Sequence, residues 1–378
     1  MKFRVERDTL ADAVTWVARG LPARPPVPVL AGVLLTADAD AGTITLSAFD
    51  YEVSAKISVP ADIEEGGTVL VLGRLLADIS RNLPNKPIDV ELAGNKVEVS
   101  CGSSRFSLLQ MPVADYPSLP VAPESSGTID GHAFTQAVSQ VSVAADRGDT
   151  LPILTGVRLE IDGEKMTLLA TDRYRLAMRE LTWRPSSPDT SYVGLIPART
   201  LNETARSLGA AASVDLALGT TDGTDGLIGF EAGSRRTTSR LLDGEYPKVT
   251  SIFPTSTDTE AVVATAALVE AVKRVSLVAE RNTPVRLRFA EGQVTIEAGT
   301  GEDAQASEAV PAEITGPEIE IAFNPHFLLD GLGAVGTPFS RLSFTQASRP
   351  AVLSGQAEED GEADTSYRYV LMPVRFAS

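Results

Sequence analysis

Three glycines near the end of the chain have the spacing of a nucleotide-binding sequence. Gly331, Gly333 and Gly336 form Gly-x-Gly-x-x-Gly, which holds a dinucleotide pyrophosphate when it joins a strand to the start of a helix. Here the pattern follows a helical stretch, residues 327–330, and runs into Thr-Pro at residues 337–338. We therefore interpret it as a helix end followed by a loop, and we expect no cofactor.

Side chains that bind metals or act as nucleophiles are scarce. The chain has two histidines, His132 and His326, and a single cysteine, Cys101, which does not make a cluster of zinc ligands. It contains neither a Gly-x-Ser-x-Gly sequence nor a phosphate-binding loop. We expect no metal site, and we interpret both histidines as surface or capping residues.

The sequence contains a threefold repeat, described below, and three aspartates stand at equivalent positions of its copies: Asp50, Asp172 and Asp303. A repeated carboxylate could serve as a catalytic acid or base. A simpler interpretation is an aspartate that follows a strand and accepts backbone hydrogen bonds in a turn. We favour the turn, and the lack of other catalytic parts predicts that the protein is not an enzyme.

Basic residues recur at equivalent positions of predicted helices, although each alone is an ordinary solvated charge. If their faces line one surface, they would meet the phosphate backbone of duplex DNA without reading bases, weakly and in a salt-sensitive way. Aromatic side chains for stacking on single strands are few, with Trp16 the main candidate. The predicted DNA-facing set is Arg24, Arg74, Arg81, Arg147, Arg199, Arg206, Lys273, Arg274 and Arg281.

The elements that carry these residues are repeated three times. Leu-x-x-Ala-Val-x-x-Val at residues 10–17 recurs as Phe-x-x-Ala-Val-x-x-Val at 134–141 and again at 268–275 with Leu, each with one apolar helical face. A second helix recurs through Arg74-x-Leu76, Arg199-x-Leu201 and His326-x-Leu328. A repeat of about 125 residues is long enough to close its own core.

Each repeat also contains alternating stretches typical of strands and hairpins. Two of these strands are predicted to begin at Pro28 and Pro152. Two helices and about eight strands per repeat predict an α+β fold of three tandem domains with antiparallel sheet against a helix pair. Turn-rich linkers place the domains at residues 1–122, 128–254 and 258–378, and three such domains in a row predict an arc, or half-ring.

Composition restricts the class of protein further. The 378 residues carry 33 basic and 50 acidic side chains, a net charge of −17, so most of the surface repels nucleic acids and anionic membranes. No apolar run approaches a membrane span, and the N-terminus does not look like a signal peptide. We expect a cytoplasmic protein with no membrane contact.

The sequence closely resembles the bacterial sliding clamp family, the beta subunits of DNA polymerase III. The resemblance rests on the three repeats, on Ala-Thr-Asp-Arg-Tyr-Arg-Leu-Ala at 170–177, on Leu-Leu-Asp-Gly-Glu-Tyr-Pro at 241–247, and on Tyr-Val-Leu-Met-Pro-Val-Arg-Phe at 369–376. It spans essentially the whole chain. It implies a head-to-tail homodimer that closes around duplex DNA, with a heterologous contact at each closure.

The resemblance also implies an apolar site between the second and third domains that takes short peptides. The implied partners are the replicative polymerase catalytic subunit, the clamp loader, and repair and translesion polymerases. Two departures stand out: the rim at Arg173-Tyr174 is bulkier and more basic, and Pro152 and Ile153 replace aromatic DNA contacts. The matching site residues are Leu154, Thr171, Arg173, Tyr174, Arg175, Leu176, Pro247, Ile252, Val352, Val370, Leu371, Met372, Pro373, Val374 and Arg375.

For the subunit contact, the resemblance implies Phe106 and Leu108 of the first domain against Leu277 and Val278 of the third. Arg74 and Arg105 would then face acidic residues such as Glu302. A competing interpretation is a three-domain adaptor that binds peptides and does not encircle DNA. It predicts a monomer with scattered arginines.

Overall fold

The computed structural model describes residues 1–148, 150–219, 226–279, 283–299 and 304–374. These residues form two compact units. The first unit comprises Met1–His132, Arg184–Ser187 and Glu203–Leu241. The second comprises Ala133–Trp183, Pro188–Asn202 and Leu242–Ser378, the last four residues of which lie outside the described ranges.

Six α-helices lie within the described ranges, two in each sequence repeat. Their apolar faces are buried as the spacing predicted: Leu10 and Val14, Phe134 and Val138, and Leu268 and Val272 are each 2% exposed or less. The helices are α1 Arg7–Ala18, α2 Gly73–Asn82, α3 Gly131–Ser142, α4 Ala198–Leu208, α5 Thr265–Val275 and α6 Pro325–Val335.

The strands follow the same threefold plan and confirm the α+β class. The first repeat has β1 Lys2–Val5, β2 Gly32–Asp38, β3 Thr43–Phe49, β4 Val53–Pro60, β5 Asp62–Glu65, β6 Gly67–Leu72, β7 Ile88–Ala93, β8 Lys96–Cys101 and β9 Ser104–Leu109. The second has β10 Gly127–Asp130, β11 Gly156–Asp162, β12 Lys165–Thr171, β13 Arg175–Thr182, β14 Arg184–Pro185, β15 Ser191–Pro197, β16 Ser213–Leu218, β17 Leu227–Ala232 and β18 Arg235–Arg240. The third has β19 Thr259–Ala264, β20 Val285–Ala290, β21 Gln293–Ala298, β22 Ala306–Thr315, β23 Ile319–Phe323, β24 Phe339–Phe344, β25 Ala351–Gln356 and β26 Ala363–Leu371.

Antiparallel sheets cross the boundaries between repeats. In the first unit, β4 pairs with β18 inside a nine-stranded sheet, and a five-stranded sheet runs β5-β1-β7-β8-β9. In the second unit, β13 pairs with β26 inside a twelve-stranded sheet. We call the β4–β18 pair, with the turns and loops beside it, the first junction, and the β13–β26 pair the second junction.

The predicted strands at Pro28 and Pro152 were wrong at their first residues. Short 3₁₀ helices occupy Pro28–Ala31 and Pro152–Thr155, and the strands begin only at Gly32 and Gly156. Proline lacks an N–H for a sheet ladder but fits the first turn of a helix. The other 3₁₀ helices are Val113–Asp115, Thr250–Ile252 and Ser276–Val278.

Helix α6 contains the glycines that imitate a nucleotide-binding sequence. The Asn324 side chain caps its start by accepting a hydrogen bond from the His326 N–H at 2.9 Å. Gly331 and Gly333 lie inside the helix, and Gly336 ends it in the left-handed region with φ 72°. The predicted helix end is confirmed. The three glycines lie within the helix and at its C-terminal end, whereas a nucleotide-binding sequence would place them before its first turn.

None of the helices in the described ranges is long and apolar enough to cross a membrane.

Candidate functional site

A tight turn between β12 and β13 organises the second junction. One carboxylate oxygen of Asp172 accepts hydrogen bonds from the N–H groups of Tyr174 and Arg175, both at 3.0 Å. The Thr171 hydroxyl donates to the Arg175 carbonyl at 2.6 Å, and Arg173 takes a left-handed conformation with φ 78°. The predicted turn role of Asp172 is therefore confirmed, and Tyr174 projects from a firmly held backbone.

Asp50 builds the same turn at the first junction, between β3 and β4. Its carboxylate accepts from the N–H groups of Glu52 at 3.0 Å and Val53 at 2.7 Å, and Tyr51 has φ 78°. The turn role of Asp50 is confirmed too. Asp303 lies outside the described residues.

The Arg175 side chain is buried behind the second turn, only 5% exposed. Its guanidinium donates to Asp172 at 2.8 Å and to Asp330 at 2.6 Å, and it lies 4.4 Å from the centre of the Phe327 ring. Burial alone would lower the pKa of Arg175, but Tyr369, Asp330 and Asp172 outweigh it and raise the pKa above its ordinary value. Arg175 is thus a fixed cation that ties the turn to α6.

An apolar cluster forms the floor beside this turn. It brings together predicted residues that are far apart in sequence, Leu154, Leu176 and Val370, all at most 2% exposed, with the half-buried Ile252 and Val352 packed against them. Burial of apolar side chains of this size contributes about 1.5–3 kcal/mol each. The remaining members are Leu169, Met178, Leu195, Tyr246 and Val249, with Leu151, Ile153, Leu242 and Phe253 at the edge.

The rim above the floor is aromatic and basic. Tyr174 is 57% exposed, and its ring stacks on Phe327 with 6.2 Å between centroids and 23° between planes. The Arg173 guanidinium lies 6.0 Å from the centre of the Tyr174 ring. An exposed tyrosine that is held by stacking beside a buried apolar cluster is typical of residues that dominate binding energy.

The C-terminal residues lie against this rim. Pairing of β13 with β26 places Leu371 opposite Arg175 and Val370 opposite Leu176. The Met372 N–H then donates to the Tyr174 carbonyl at 2.9 Å, and the exposed Val374 donates its N–H to Ala322 at 2.8 Å. Pro373 is half-buried, Pro247 is exposed, and Arg375 lies outside the described residues.

Sequence reasoning missed three members of this site: Phe327, Asp330 and Tyr369. Phe327 and Asp330 lie on α6, more than a hundred residues from the turn they contact. The Tyr369 hydroxyl donates to the Phe327 carbonyl at 2.8 Å. The only available signal was that Tyr369 opens the quoted C-terminal sequence; α6 carried none.

The predicted DNA-facing residues are exposed wherever the structure describes them. On α5, Lys273 forms an ion pair with Glu270 at 2.9 Å, and Arg274 forms one with Glu308 at 2.6 Å. The hydrogen bond from Arg274 lowers the pKa of Glu308. Arg81 pairs with Asp78 on α2. The other exposed residues of the set are Arg24, Arg74, Arg147, Arg199 and Arg206, while Arg281 lies outside the described ranges.

Trp16 was a wrong candidate for stacking on bases. Its side chain is only 6% exposed, and the Arg235 guanidinium lies 5.7 Å from its ring centre. The residue lies on the apolar face of α1 and packs into the core, so its ring surface is unavailable to a nucleic acid.

The predicted subunit contact maps onto accessible edges with one exception. Phe106 is 40% exposed on β9, an edge strand, and Leu277 is 84% exposed. Arg74 and Arg105 are exposed, and Val278 is half-buried. The prediction that Leu108 takes part in this contact was wrong. Strand alternation turns its side chain into the core, where it is 4% exposed. Glu302 lies outside the described residues.

Within the described ranges, no group of three or more His, Cys, Asp or Glu side chains is placed to hold a metal ion. Cys101 is buried, where its thiol donates to backbone carbonyls. His132 and His326 are exposed.

Three family descriptions match successive parts of the chain. Residues 1–120 match the DNA polymerase III beta subunit N-terminal domain, residues 128–248 its central domain, and residues 250–375 its C-terminal domain.

Individual proteins agree over the full length. The beta sliding clamp of Streptomyces coelicolor is 58% identical over 377 residues, covering 100% of both chains. The beta sliding clamp homolog GriR of Streptomyces muensis is 47% identical over 376 residues, again with 100% of both chains covered.

Solved structures agree as well. The DNA polymerase sliding clamp of Bacillus subtilis superposes with a TM-score of 0.91 at 28% identity, covering 100% of this chain and 99% of that one. The sliding clamp of Pseudomonas aeruginosa, solved bound to griselimycin, gives a TM-score of 0.91 at 30% identity with 100% of both chains covered.

Proposed function

The chain belongs to the DNA polymerase III beta subunit family, and from that premise we propose that it is a sliding clamp. Two copies close head to tail into a ring around duplex DNA and hold the replicative polymerase on its template. The full-length identity of 58% to a beta sliding clamp carries this conclusion. The sequence repeats then correspond to three clamp domains at residues 1–122, 128–254 and 258–378.

Retention by a ring suits the charge of this protein. With a net charge of −17, the chain is poorly suited to hold DNA by electrostatic attraction alone. A closed ring holds the duplex topologically, while exposed residues such as Arg24, Arg147 and Arg206 contact phosphates transiently. Weak, sequence-independent contacts permit sliding.

The second junction is the site for partner peptides. A peptide places apolar anchors against the floor around Leu154, Leu176 and Val370, with Tyr174 and Met372 at its rim. The same site serves the replicative polymerase catalytic subunit, the clamp loader, and repair and translesion polymerases in turn. Anchoring by a few apolar side chains in a well-packed site is the usual basis of such recognition.

Ring closure uses the first and third domains. Phe106 on edge strand β9 packs against Leu277 of the second copy, and Arg105 pairs with an acidic side chain there. Exposed apolar residues at an edge strand are a liability in a monomer, and closure removes it. The protein has no catalytic residues of its own and works in the cytoplasm.

Arg105→Glu tests the closure. We expect loss of dimers, because an acidic side chain then faces an acidic partner. Sedimentation velocity measures the oligomeric state, and Lys96→Glu, an exposed charge reversal on neighbouring strand β8, is the matched control. Dimers that persist in Arg105→Glu as in the control would count against this interface.

Retention on circular DNA tests the function itself. Clamps loaded on a nicked plasmid should survive a high-salt wash and leave when the plasmid is linearised, because only topology holds them. Salt that removes the protein equally from circular and linear DNA would contradict encirclement.

A further inference from the structure

A polar groove lies at the first junction, between its sheet and the chain at residues 119–122. It encloses a cavity of about 440 Å³. Strand alternation places a row of hydroxyl groups on one face of the sheet as its floor. The floor residues are Thr36, Thr45, Ser47, Ser54 and Thr238, with Lys56 and Arg236 among them.

This groove is the polar counterpart of the apolar floor at the second junction. The strand registers match at both places, because β3 pairs with β4 as β12 pairs with β13, and β4 pairs with β18 as β13 pairs with β26. The registers equate four positions: Ser47 with Leu169, Ser54 with Leu176, Lys56 with Met178 and Thr238 with Val370. The fold thus repeats the same strand pairing, and the first copy carries polar side chains where the second has an apolar cluster.

Charge at the groove is unevenly compensated. Lys56 and Arg236 are direct partners across β4 and β18, an arrangement of like charges that destabilises a sheet. Arg236 is neutralised by Glu231, to which its Nε donates at 2.6 Å. Across the described residues, neither the Lys56 ammonium nor the Ser47 hydroxyl forms an ion pair or a side-chain hydrogen bond. A carboxylate from a ligand would supply the missing counter-charge.

The groove continues past Arg236 into a second compartment of about 290 Å³. With Glu231 paired to Arg236, the carboxylates of Glu124 and Asp215 give its lining a net negative charge, around Gly229 and the chain at residues 122–125. A cationic group is favoured there for the same electrostatic reason. The two compartments share Ala122 and Arg236, so one extended ligand can occupy both.

We propose that the first junction is a second peptide site, which takes an extended mixed-charge segment of a partner protein. An acidic side chain of the segment binds Lys56, and a basic side chain binds the compartment of Glu124 and Asp215. The Ser47 hydroxyl hydrogen-bonds to the peptide backbone, while the hydroxyl groups of Ser54 and Thr238 stay bonded to each other. Apolar anchors are rejected, because they would cover the Lys56 ammonium and the Ser47 hydroxyl without offering either a hydrogen-bond partner.

Fluorescence anisotropy at low salt tests the site with three labelled hexapeptides on the full-length protein. They are Asp-Asp-Ser-Gly-Lys-Lys, Asp-Asp-Ser-Gly-Asp-Asp and Lys-Lys-Ser-Gly-Lys-Lys. The mixed-charge peptide should bind most tightly. Lys56→Glu should weaken it by about tenfold and shift the preference to the all-basic peptide. Lys96→Glu, the matched control outside the groove, should change nothing.

Three results would overturn the proposal: equal binding of all peptides, equal effects of the two lysine variants, or displacement of the mixed-charge peptide by inorganic phosphate at equal concentration. Lys56 is exposed, and Lys56→Glu replaces a like-charge pair with an opposite-charge pair opposite Arg236, so its thermal midpoint should be no lower than that of wild type. A short peptide ending in Leu-Phe should bind Lys56→Glu like wild type. Its binding reports the second junction, so failure of this proposal is distinct from failure of the clamp function.

Discussion

The first and second junctions share a backbone but differ in the side chains that it carries. Asp50 and Asp172 each accept two N–H groups from the turn that follows, and Tyr51 and Arg173 both have φ 78°. The next strand of the first junction begins with Val53, whereas that of the second begins with Arg175. The turn therefore belongs to the fold, and the specialised site belongs to the residues placed on it.

The contrast extends to the floors. The first junction places the Ser54 and Thr238 hydroxyl oxygens 2.5 Å apart, in mutual hydrogen-bond contact, where the second packs Leu176 against Val370. A hydroxyl pair is satisfied by itself, whereas an apolar pair gains by covering more apolar surface. We expect only the second junction to attract Leu and Phe anchors.

The largest difference should appear when the first residue after each turn is truncated. Arg175→Ala leaves the buried Asp172 without its cation and should cost about 3–5 kcal/mol of stability. Val53→Ala removes two methyl groups from a half-buried side chain and should cost about 1 kcal/mol. Urea unfolding followed by circular dichroism measures both. Equal losses would show that Arg175 does not hold the second junction together.

The exposed aromatic residues should separate the junctions next. Tyr174→Ala should weaken binding of a peptide ending in Leu-Phe by about tenfold, because the rim above the apolar floor is lost. Tyr51→Ala removes the exposed tyrosine at the first turn and should leave that affinity unchanged. Calorimetric titration compares the variants. A loss with Tyr51→Ala would place the peptide at the wrong junction for our account.

The smallest expected effect concerns the buried tyrosines behind the turns. Burial raises the pKa of Tyr116 to about 12 from 10.0, and burial also raises that of Tyr246. The folded state favours the neutral phenol of Tyr116. Its contribution to folding stability is therefore complete below about pH 10 and is lost as pH rises through about 12. Both junctions should therefore weaken in alkali.

Tyr116→Phe removes the titrating group at the first junction only. It also removes the acceptor for the Phe49 N–H at 2.8 Å, which should cost about 1 kcal/mol at neutral pH. Scanning calorimetry from pH 8 to 11.5 should then show a shallower alkaline decline than in wild type. An unchanged slope would mean that Tyr116 titrates alike in the folded and unfolded protein.

Sequence reasoning succeeded where the signal is local. Helix faces such as Leu10 to Val17, and the turn role of Asp172, follow from spacing and residue type, and the structure confirms them. The resemblance to a known family supplied most of the second-junction residues. The burial of Trp16 was missed because its position in a helix does not reveal what packs over it.

Long-range pairing could not be predicted. Arg175 meets Asp330 and Tyr369 only because β13 pairs with β26 and α6 lies behind them. The polar groove depends equally on which residue of β18 faces Lys56. Strand register is set by burial across the whole sheet, so neither contact leaves a short-range pattern in the sequence.

The most direct test of the account is the number and place of bound Leu-Phe peptides per chain. Isothermal titration calorimetry should give one peptide per chain for wild type and for Ser54→Asp, and no binding for Leu176→Asp. Both carboxylates lie at buried positions and should lower stability, so the titrations are made at a temperature at which circular dichroism shows both variants folded. Two peptides per chain, or loss of binding in Ser54→Asp but not in Leu176→Asp, would contradict the assignment of the second junction as the apolar peptide site.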